Sequence, residues 1–126
     1  MKPPTEGATK VARQPLVVNV SIDAQGKVTV EPDAIHVTER DQPIRWQLDQ
    51  TSAGQWRLVG LCWCGDPPPP DEFDGWQNEN ARLSVIDRNM TRDEWRYGLL
   101  YRRTGERPNS PPRVFDPTIR NEPPIR

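Results

Sequence analysis

Two cysteines and one histidine are the residues of this 126-residue chain best suited to metal or redox chemistry. Cys62 and Cys64 flank a single tryptophan, and in an extended strand that spacing places both sulfur atoms on one face. Two thiolates can hold Cu(I), a soft ion, whereas structural Zn²⁺ needs four ligands, so His36 or a carboxylate such as Asp66 would have to join them. We predict Cys62, Cys64 and His36 as candidate ligands, with Met90 as a possible thioether. The alternative is that both thiols pack beside the loop that follows.

The sequence does not assemble a catalytic set. A Ser-His-Asp or Cys-His arrangement could use only His36, and no nucleophile is marked beside it. Asp and Glu are plentiful, but no spacing favours a pair for glycoside hydrolysis. Asp71, Asp74 and Glu79 surround Gly75 without the spacing of an EF-hand loop, and no glycine-rich phosphate loop is present. We therefore predict a protein that is not an enzyme and carries no cofactor.

Aromatic residues suggest a binding surface instead. The longest irregular stretch, residues 64–80, contains Pro67–Pro70, which cannot donate to a sheet and favours polyproline II. Long loops in compact domains are often functional, and two aromatic residues follow these prolines. Three more recur at period two in a later strand. The predicted surface for an unidentified protein partner comprises Phe73, Trp76, Trp95, Tyr97 and Tyr101. The alternative is that the two loop aromatics fold back and cap the open end of the fold.

Strands must position these residues. Val28–Leu48 contains three short runs in which apolar side chains alternate, separated by turns at Pro32-Asp33 and at residues 40–43. Thr91 and Glu94 have the spacing of a capping box, but the alternation that follows favours a strand. Other predicted strands are Leu16–Ile22, Lys27–Glu31, Gln55–Trp63, Ala81–Arg88, Glu94–Arg103 and Arg113–Ile119. We predict an all-β fold, a single antiparallel β-sandwich of seven or eight strands with Greek-key connections.

Length and composition indicate one domain with irregular ends. The chain is 33% hydrophobic and contains 15 prolines, which favours a compact core with long loops. We predict a mobile N-terminal tail over residues 1–14, a β-sandwich domain over 15–120 that includes the long loop 64–80, and a C-terminal tail over 121–126.

Charge and hydropathy restrict the partners. Residues 1–80 hold seven Lys/Arg against twelve Asp/Glu, and residues 81–126 hold ten against six. These opposite net charges predict that strands from the two halves interleave and that the charged side chains lie on solvated faces. The arginines are scattered along the sequence, which disfavours a nucleic-acid partner. No run is long and apolar enough for a membrane span or a secretory signal, and reduced thiols fit the cytoplasm. A homo-oligomer through an exposed edge strand is left open.

Two stretches resemble known families. The segment order resembles a cupredoxin-like sandwich, in the run VTVEPDAIHVTERDQPIRWQL and in the later aromatic strand WRYGLLY. A blue-copper site needs two His and a Cys, so with His36 alone the resemblance implies the fold without its copper site. The C-terminal stretch DPTIRNEP, residues 116–123, resembles the DP-EP family of small bacterial proteins, a group without an assigned activity.

Overall fold

The chain forms ten strands and one very short helix within the part that the computed structural model describes, residues 14–107, 111–115 and 117–124. The elements are β1 (Leu16–Ile22), β2 (Val28–Glu31), β3 (Ala34–Val37), β4 (Gln42–Leu48), α1 (Gln50–Ala53), β5 (Trp56–Cys64), β6 (Phe73–Asn78), β7 (Arg82–Asp87), β8 (Asp93–Arg103), β9 (Arg113–Phe115) and β10 (Thr118–Asn121). The predicted all-β class is confirmed. Except for Gln14, the predicted N-terminal tail lies outside the described residues, as do residues 125 and 126 of the predicted C-terminal tail.

The strands form two mixed sheets. The first has the order β2-β1-β4-β7-β6, and the second has the order β3-β10-β8-β5, with β9 also paired to β8. Strands β1 and β4 run parallel, as do β3 and β10, while the other pairs are antiparallel. The prediction of seven or eight strands, all antiparallel, is therefore wrong in number and in direction.

Turns that change sheets explain the parallel pairs. After β2, the turn at Pro32-Asp33 takes the chain from the first sheet to β3 in the second, and β4 then returns beside β1. Leu16 of β1 pairs with Ile44 of β4, and Val20 pairs with Leu48. Alternation of apolar residues shows which face of a strand is buried, but it carries no information about the neighbouring strand.

A proline divides the last predicted strand. Arg113–Phe115 pairs with β8 as β9, and Thr118–Asn121 pairs with both β8 and β3 as β10. Pro117 has no N–H for the ladder, although its carbonyl oxygen accepts a hydrogen bond from Tyr97 N at 3.0 Å. Asp116 lies outside the described residues.

The stretch predicted to be one long loop, residues 64–80, contains strand β6. Its sequence, FDGWQN, does not alternate, because one extra residue enters between Asp74 and Gln77 where β6 pairs with β7. Gly75 lies in this bulge with φ +69°, a conformation that glycine adopts without strain. The irregular part of the segment is therefore shorter than predicted.

One hydrophobic cluster unites the two sheets. Trp46 of β4 meets Tyr97 of β8 edge to face, with ring centroids 5.3 Å apart, and its indole N–H donates to the Tyr97 hydroxyl at 2.8 Å. Burial raises the pKa of Tyr97 far above its ordinary value, so the hydroxyl stays protonated. Each fully buried aromatic side chain contributes about 2–3 kcal/mol of transfer free energy.

The segment after β4 forms a single helical turn. Asp49 is the N-cap of α1, and its carboxylate accepts from Ser52 N at 2.7 Å. The Ser52 hydroxyl oxygen in turn accepts from Ile22 N at 2.8 Å, which ties α1 to the end of β1. At four residues, this helix is far too short to cross a bilayer, and the described part of the chain has no membrane-spanning helix.

Candidate functional site

Most of the predicted contact residues lie in the core. Phe73, Trp95, Tyr97 and Tyr101 are buried, and only Trp76 is substantially exposed, at 43%. Strand β8 lies inside the second sheet, and its alternating aromatics point into the hydrophobic cluster. The aromatic contact surface predicted for this strand must be corrected, because these side chains pack against the first sheet and cannot reach a partner.

The two loop aromatics separate into different roles. Phe73 packs between Trp63 and Trp95, with ring centroids at 5.0 and 5.7 Å. Phe73 therefore packs into the core, whereas the capping alternative expected both loop aromatics to fold back. Trp76, three residues later and beyond the bulge of β6, turns outward.

Trp76 lines a groove between the last strands of the two sheets. The groove has a volume of about 410 Å³, within the range of known binding clefts. Strand β5 contributes one wall and β6 the other. Its lining residues are Val59, Gly60, Leu61, Trp76, Gln77, Asn78 and Leu83.

Both walls of the groove are irregular. Where β5 pairs with β8, β5 has one extra residue between Leu58 and Gly60. This bulge and the bulge of β6 lie in the two strands that form the groove. Asn78 links the two walls, because its Nδ2 donates to Val59 O at 2.9 Å. A bulged edge strand resists continuous pairing with another strand. This arrangement is suited to holding an apolar side chain rather than to extending a sheet.

Arginines in and just after β7 form ion pairs with carboxylates. The Arg88 guanidinium donates to Asp74 Oδ2 at 2.7 Å and to Asp41 Oδ1 at 2.9 Å, and Arg82 pairs with Glu79 at 3.0 Å. The carboxylates of Asp74 and Glu79, which surround Gly75 in the sequence, are thus engaged by arginines. The side chains that line the groove itself carry no formal charge.

The structure brings the two cysteines together. Cys62 and Cys64 are half-buried, and no disulfide joins them. Both lie in β5, which pairs with β8. A methyl group added to Gly98 of β8 would lie 2.6 Å from Cys62 Sγ, 3.6 Å from Cys64 Sγ and 2.7 Å from Val114 Cγ1. The absence of a side chain at Gly98 thus gives both sulfur atoms their space, with Val114 of β9 beside them.

The other predicted ligands lie elsewhere. His36 is exposed on β3, at the opposite edge of the second sheet from β5, with its Nδ1 3.9 Å from Glu122 Oε2. Met90 is exposed after β7. Within the described ranges, no three His, Cys, Asp or Glu side chains form a group able to hold a metal ion. The sulfur pair is the part of the predicted metal set that the fold assembles.

A buried polar cluster was missed by sequence reasoning. The side chains of Glu72, Asp87, Asn89 and Asn121 are all fully buried. Asn121 Nδ2 donates to Glu72 Oε2 at 3.1 Å and to Asp87 Oδ1 at 3.0 Å. Glu72 follows the proline run among acidic residues, a context that predicts solvent exposure, so no local signal marked it.

Backbone contacts hold this cluster in place. Glu72 Oε2 also accepts from the N–H groups of Met90 and Thr91 at 2.7 and 2.9 Å, and Asp87 Oδ1 accepts from Asn89 N at 2.9 Å. Burial raises the pKa of Asp87 to about 6, and repulsion from Glu72 adds to that rise, while the hydrogen bonds from Asn121 and Asn89 oppose it.

Comparison with protein-family models and with curated proteins finds no match for this chain. The cupredoxin-like and DP-EP resemblances therefore stay predictions. Three features of the described residues remain to be interpreted: the groove beside Trp76, the sulfur pair over Gly98, and the buried polar cluster.

Proposed function

We propose that this chain is a non-catalytic interaction module, a bacterial cytoplasmic protein with a cupredoxin-like sandwich fold, which binds an extended segment of a partner protein beside Trp76. The observation that carries the proposal is an indole, 43% exposed, that lines an apolar groove between two edge strands. Trp76 is also the aromatic member of the exposed large hydrophobic side chains in the described part of the chain.

The chemistry of the groove defines its occupant. Tryptophan is enriched among the residues that dominate binding energy at protein interfaces. A segment in extended conformation can place an apolar side chain against Trp76 while its backbone runs along polar atoms of Gln77 and β5. The uncharged lining of the groove gives no reason to expect a strongly charged partner.

The area of the indole sets the expected affinity contribution. An aromatic side chain buries about 150–250 Å², so covering the exposed 43% of Trp76 removes about 90 Å² from water. At about 25 cal/mol per Å², this contributes about 2 kcal/mol. Truncation of the side chain should then weaken binding by about thirtyfold.

A second copy of the chain is a competing occupant. Strands β5 and β6 end their sheets, so edge pairing between copies is geometrically conceivable. The bulges at Val59 and at Gly75-Trp76 argue against it, because they interrupt the regular row of backbone donors and acceptors. We therefore favour a heterologous partner.

Selection of random linear peptides on the immobilised protein tests the proposal. Selected peptides should carry a large apolar residue, bind Trp76→Ala about thirtyfold more weakly, and bind Met90→Ala normally. Met90 is the matched control, because it is similarly exposed but does not line the groove. Peptides that bind Trp76→Ala as well as the parent protein would refute the groove assignment. Self-association in sedimentation that Trp76→Ala abolishes would identify a second copy as the occupant.

The sulfur pair supports a second candidate function, the handling of Cu(I). Cys62 and Cys64 share the space above Gly98, so two thiolates could bind one ion of low coordination number. Zn²⁺ is less suited, because His36 lies at the far edge of the sheet and the pair alone supplies half of a tetrahedral set.

Titration with Cu(I) against a competing chelator tests this candidate. The reduced protein should bind one equivalent, and a Cys62→Ser, Cys64→Ser double variant should bind none. His36→Gln serves as the control and should bind normally. Undiminished uptake by the double variant would rule out the sulfur pair, and loss of uptake in His36→Gln would contradict the separation of β3 from β5.

A further inference from the structure

Two arginines lie over one buried tryptophan, where β5 begins and β8 ends. Trp56 is 1% exposed, and the guanidinium carbon atoms of Arg103 and Arg113 lie 4.3 and 4.9 Å from the centroid of its ring. Arg103 is the last residue of β8, and Arg113 is the first residue of β9. Strands that are separated in the sequence thus bring two positive charges to one indole.

The register of three strands fixes both guanidinium groups. Trp56 is paired with Arg103 across β5 and β8, and Arg113 is paired with Tyr101 across β8 and β9. The Arg103 side chain is also anchored, because its Nη2 donates to Ala24 O at 2.8 Å in the segment between β1 and β2. Groups that are already positioned lose little conformational freedom when a ligand binds.

Stacking on the indole leaves the donors of both arginines available. It occupies the flat face of a guanidinium group, whereas the N–H donors lie in its plane, in a fork that matches the oxygens of an anion. Among the described contacts, Ala24 O takes one N–H of Arg103. Arg113 is 44% exposed in its side chain, and its Nη2 lies 3.9 Å from Glu106 Oε2, too far for a hydrogen bond.

The carboxylates near this pair are engaged in other contacts. Asp23 Oδ1 accepts from two backbone N–H groups of its own turn, both at 2.9 Å. Glu106 Oε1 accepts from Arg103 N at 3.0 Å, which leaves its other oxygen in the loose pair with Arg113. Burial raises the pKa of Tyr101, and the positive charge of Arg113 opposes that rise, so the field of this arginine extends to its neighbour.

A structural role explains one of these arginines better than two. Arg103 covers the indole and ties the end of β8 to Ala24, which suffices to shield the ring. A second cation over the same ring places two like charges close together, and they repel each other. An anion bound to both guanidinium groups would replace that repulsion by attraction.

We propose that Arg103 and Arg113 form a binding site for a phosphate monoester beside Trp56. Two guanidinium charges match a phosphate monoester, which carries about −1.5 to −2 charges at pH 7 and has three acceptor oxygens. A carboxylate has one charge and two oxygens, so a single arginine fork satisfies it. Neither arginine lines the groove beside Trp76, so this site does not depend on the proposed peptide-binding function.

Titration of the isotope-labelled full chain with inorganic phosphate at constant ionic strength, followed by NMR of the arginine Nε–H signals, tests the site. The signals of Arg103 and Arg113 should shift along one saturable curve. Arg103→Gln and Arg113→Gln should each weaken binding by about tenfold or more. Arg92→Gln is the matched control and should bind like the parent, because Arg92 is exposed at the opposite end of β8.

A charge-conserving variant keeps the test decisive if a glutamine variant fails to fold. Arg113→Lys retains the positive charge but loses the planar fork, so it should also weaken binding. Parent-like binding by Arg113→Lys would indicate general electrostatic attraction and would overturn the site. Equal weakening in Arg92→Gln, an identical curve with acetate, or no saturation at tens of millimolar phosphate would equally overturn it.

A phosphoserine peptide, used as a second probe, identifies the source of the phosphate. Tighter binding of this peptide than of inorganic phosphate would support the site and assign it to a phosphorylated protein. Equal binding of the two probes would support the site and assign it to a small phosphate monoester. Single-stranded DNA that binds more tightly than both would overturn the proposal, because its phosphates are diesters.

Discussion

Replacing Asp87 by asparagine should remove a pH-dependent loss of stability. Asp87 Oδ1 accepts from Asn89 N and Asn121 Nδ2, and Asn at position 87 keeps an oxygen that can accept both. The new amide N–H₂ replaces Oδ2, which has no hydrogen-bond partner. The variant therefore imitates the protonated form of Asp87 without cutting its existing contacts.

The size and sign of the effect follow from the pKa. Burial and the neighbouring Glu72 raise the pKa of Asp87 from 3.8 to about 6, so the folded protein binds this proton more tightly than the unfolded chain does. The free energy of unfolding therefore gains a contribution as pH falls through about 6 towards 3.8, and loses it as pH rises. The difference corresponds to about 3 kcal/mol.

Urea denaturation in the presence of chelator, followed by tryptophan fluorescence between about pH 4 and about pH 7.5, measures this contribution. Other carboxylates affect parent and variant alike, so the difference between the two isolates Asp87. Relative to the parent, Asp87→Asn should become more stable by about 2.5 kcal/mol as pH rises across this range, which covers most of the full difference. The exposed control Asp71→Asn should show no such trend. A difference that stays constant with pH would refute the reasoning, because Asp87 would then have the same pKa in both states.

Three further substitutions test the packing of the fold, each by urea denaturation. Gly98→Ala places a methyl group 2.6 Å from Cys62 Sγ, so it should cost about 1–3 kcal/mol, and Cys62→Ala in the same chain should restore part of that loss. Tyr97→Phe leaves the indole N–H of Trp46 without its acceptor in the core, and should cost about 1–3 kcal/mol. Asp49→Ala removes the N-cap of α1 and should lower the free energy of unfolding by about 1 kcal/mol near neutral pH. Because hydrogen bonds lower the pKa of Asp49, this loss should shrink only in strong acid, where the parent carboxylate becomes protonated. Unchanged stability in any of the three would contradict the corresponding contact.

Alternating apolar residues made several strands predictable. The bounds predicted for β1, Leu16–Ile22, are those of the structure, and the strand predicted over Lys27–Glu31 is present as β2, Val28–Glu31. The same pattern placed His36 on the exposed face of β3. Side-chain period reports directly on burial, so these features could be inferred from local sequence alone.

Pairing partners and the direction of the aromatic face could not be inferred in this way. Period two shows that Trp95, Tyr97 and Tyr101 share a face, but whether that face meets a partner or the other sheet depends on long-range packing. The parallel neighbours of β1 and β3 arrive from distant segments, and nothing within these short strands encodes them.

The site residues show the same limit. The spacing of Cys62 and Cys64 correctly predicted thiols on one face, yet the space that Gly98 leaves for them depends on strand register. Glu72 lies in an acidic, proline-rich context that indicates exposure, and Asn121 falls in a stretch predicted as a tail. Their burial together is a property of the assembled fold.

Amide hydrogen exchange with and without a selected peptide tests the interaction proposal most directly. If the peptide occupies the groove, protection should increase in β5 around Val59–Leu61 and in β6 around Trp76–Asn78, and it should stay unchanged in β3 at the opposite edge of the second sheet. Protection that appears elsewhere, with none at these two edge strands, would contradict a binding function for the groove beside Trp76.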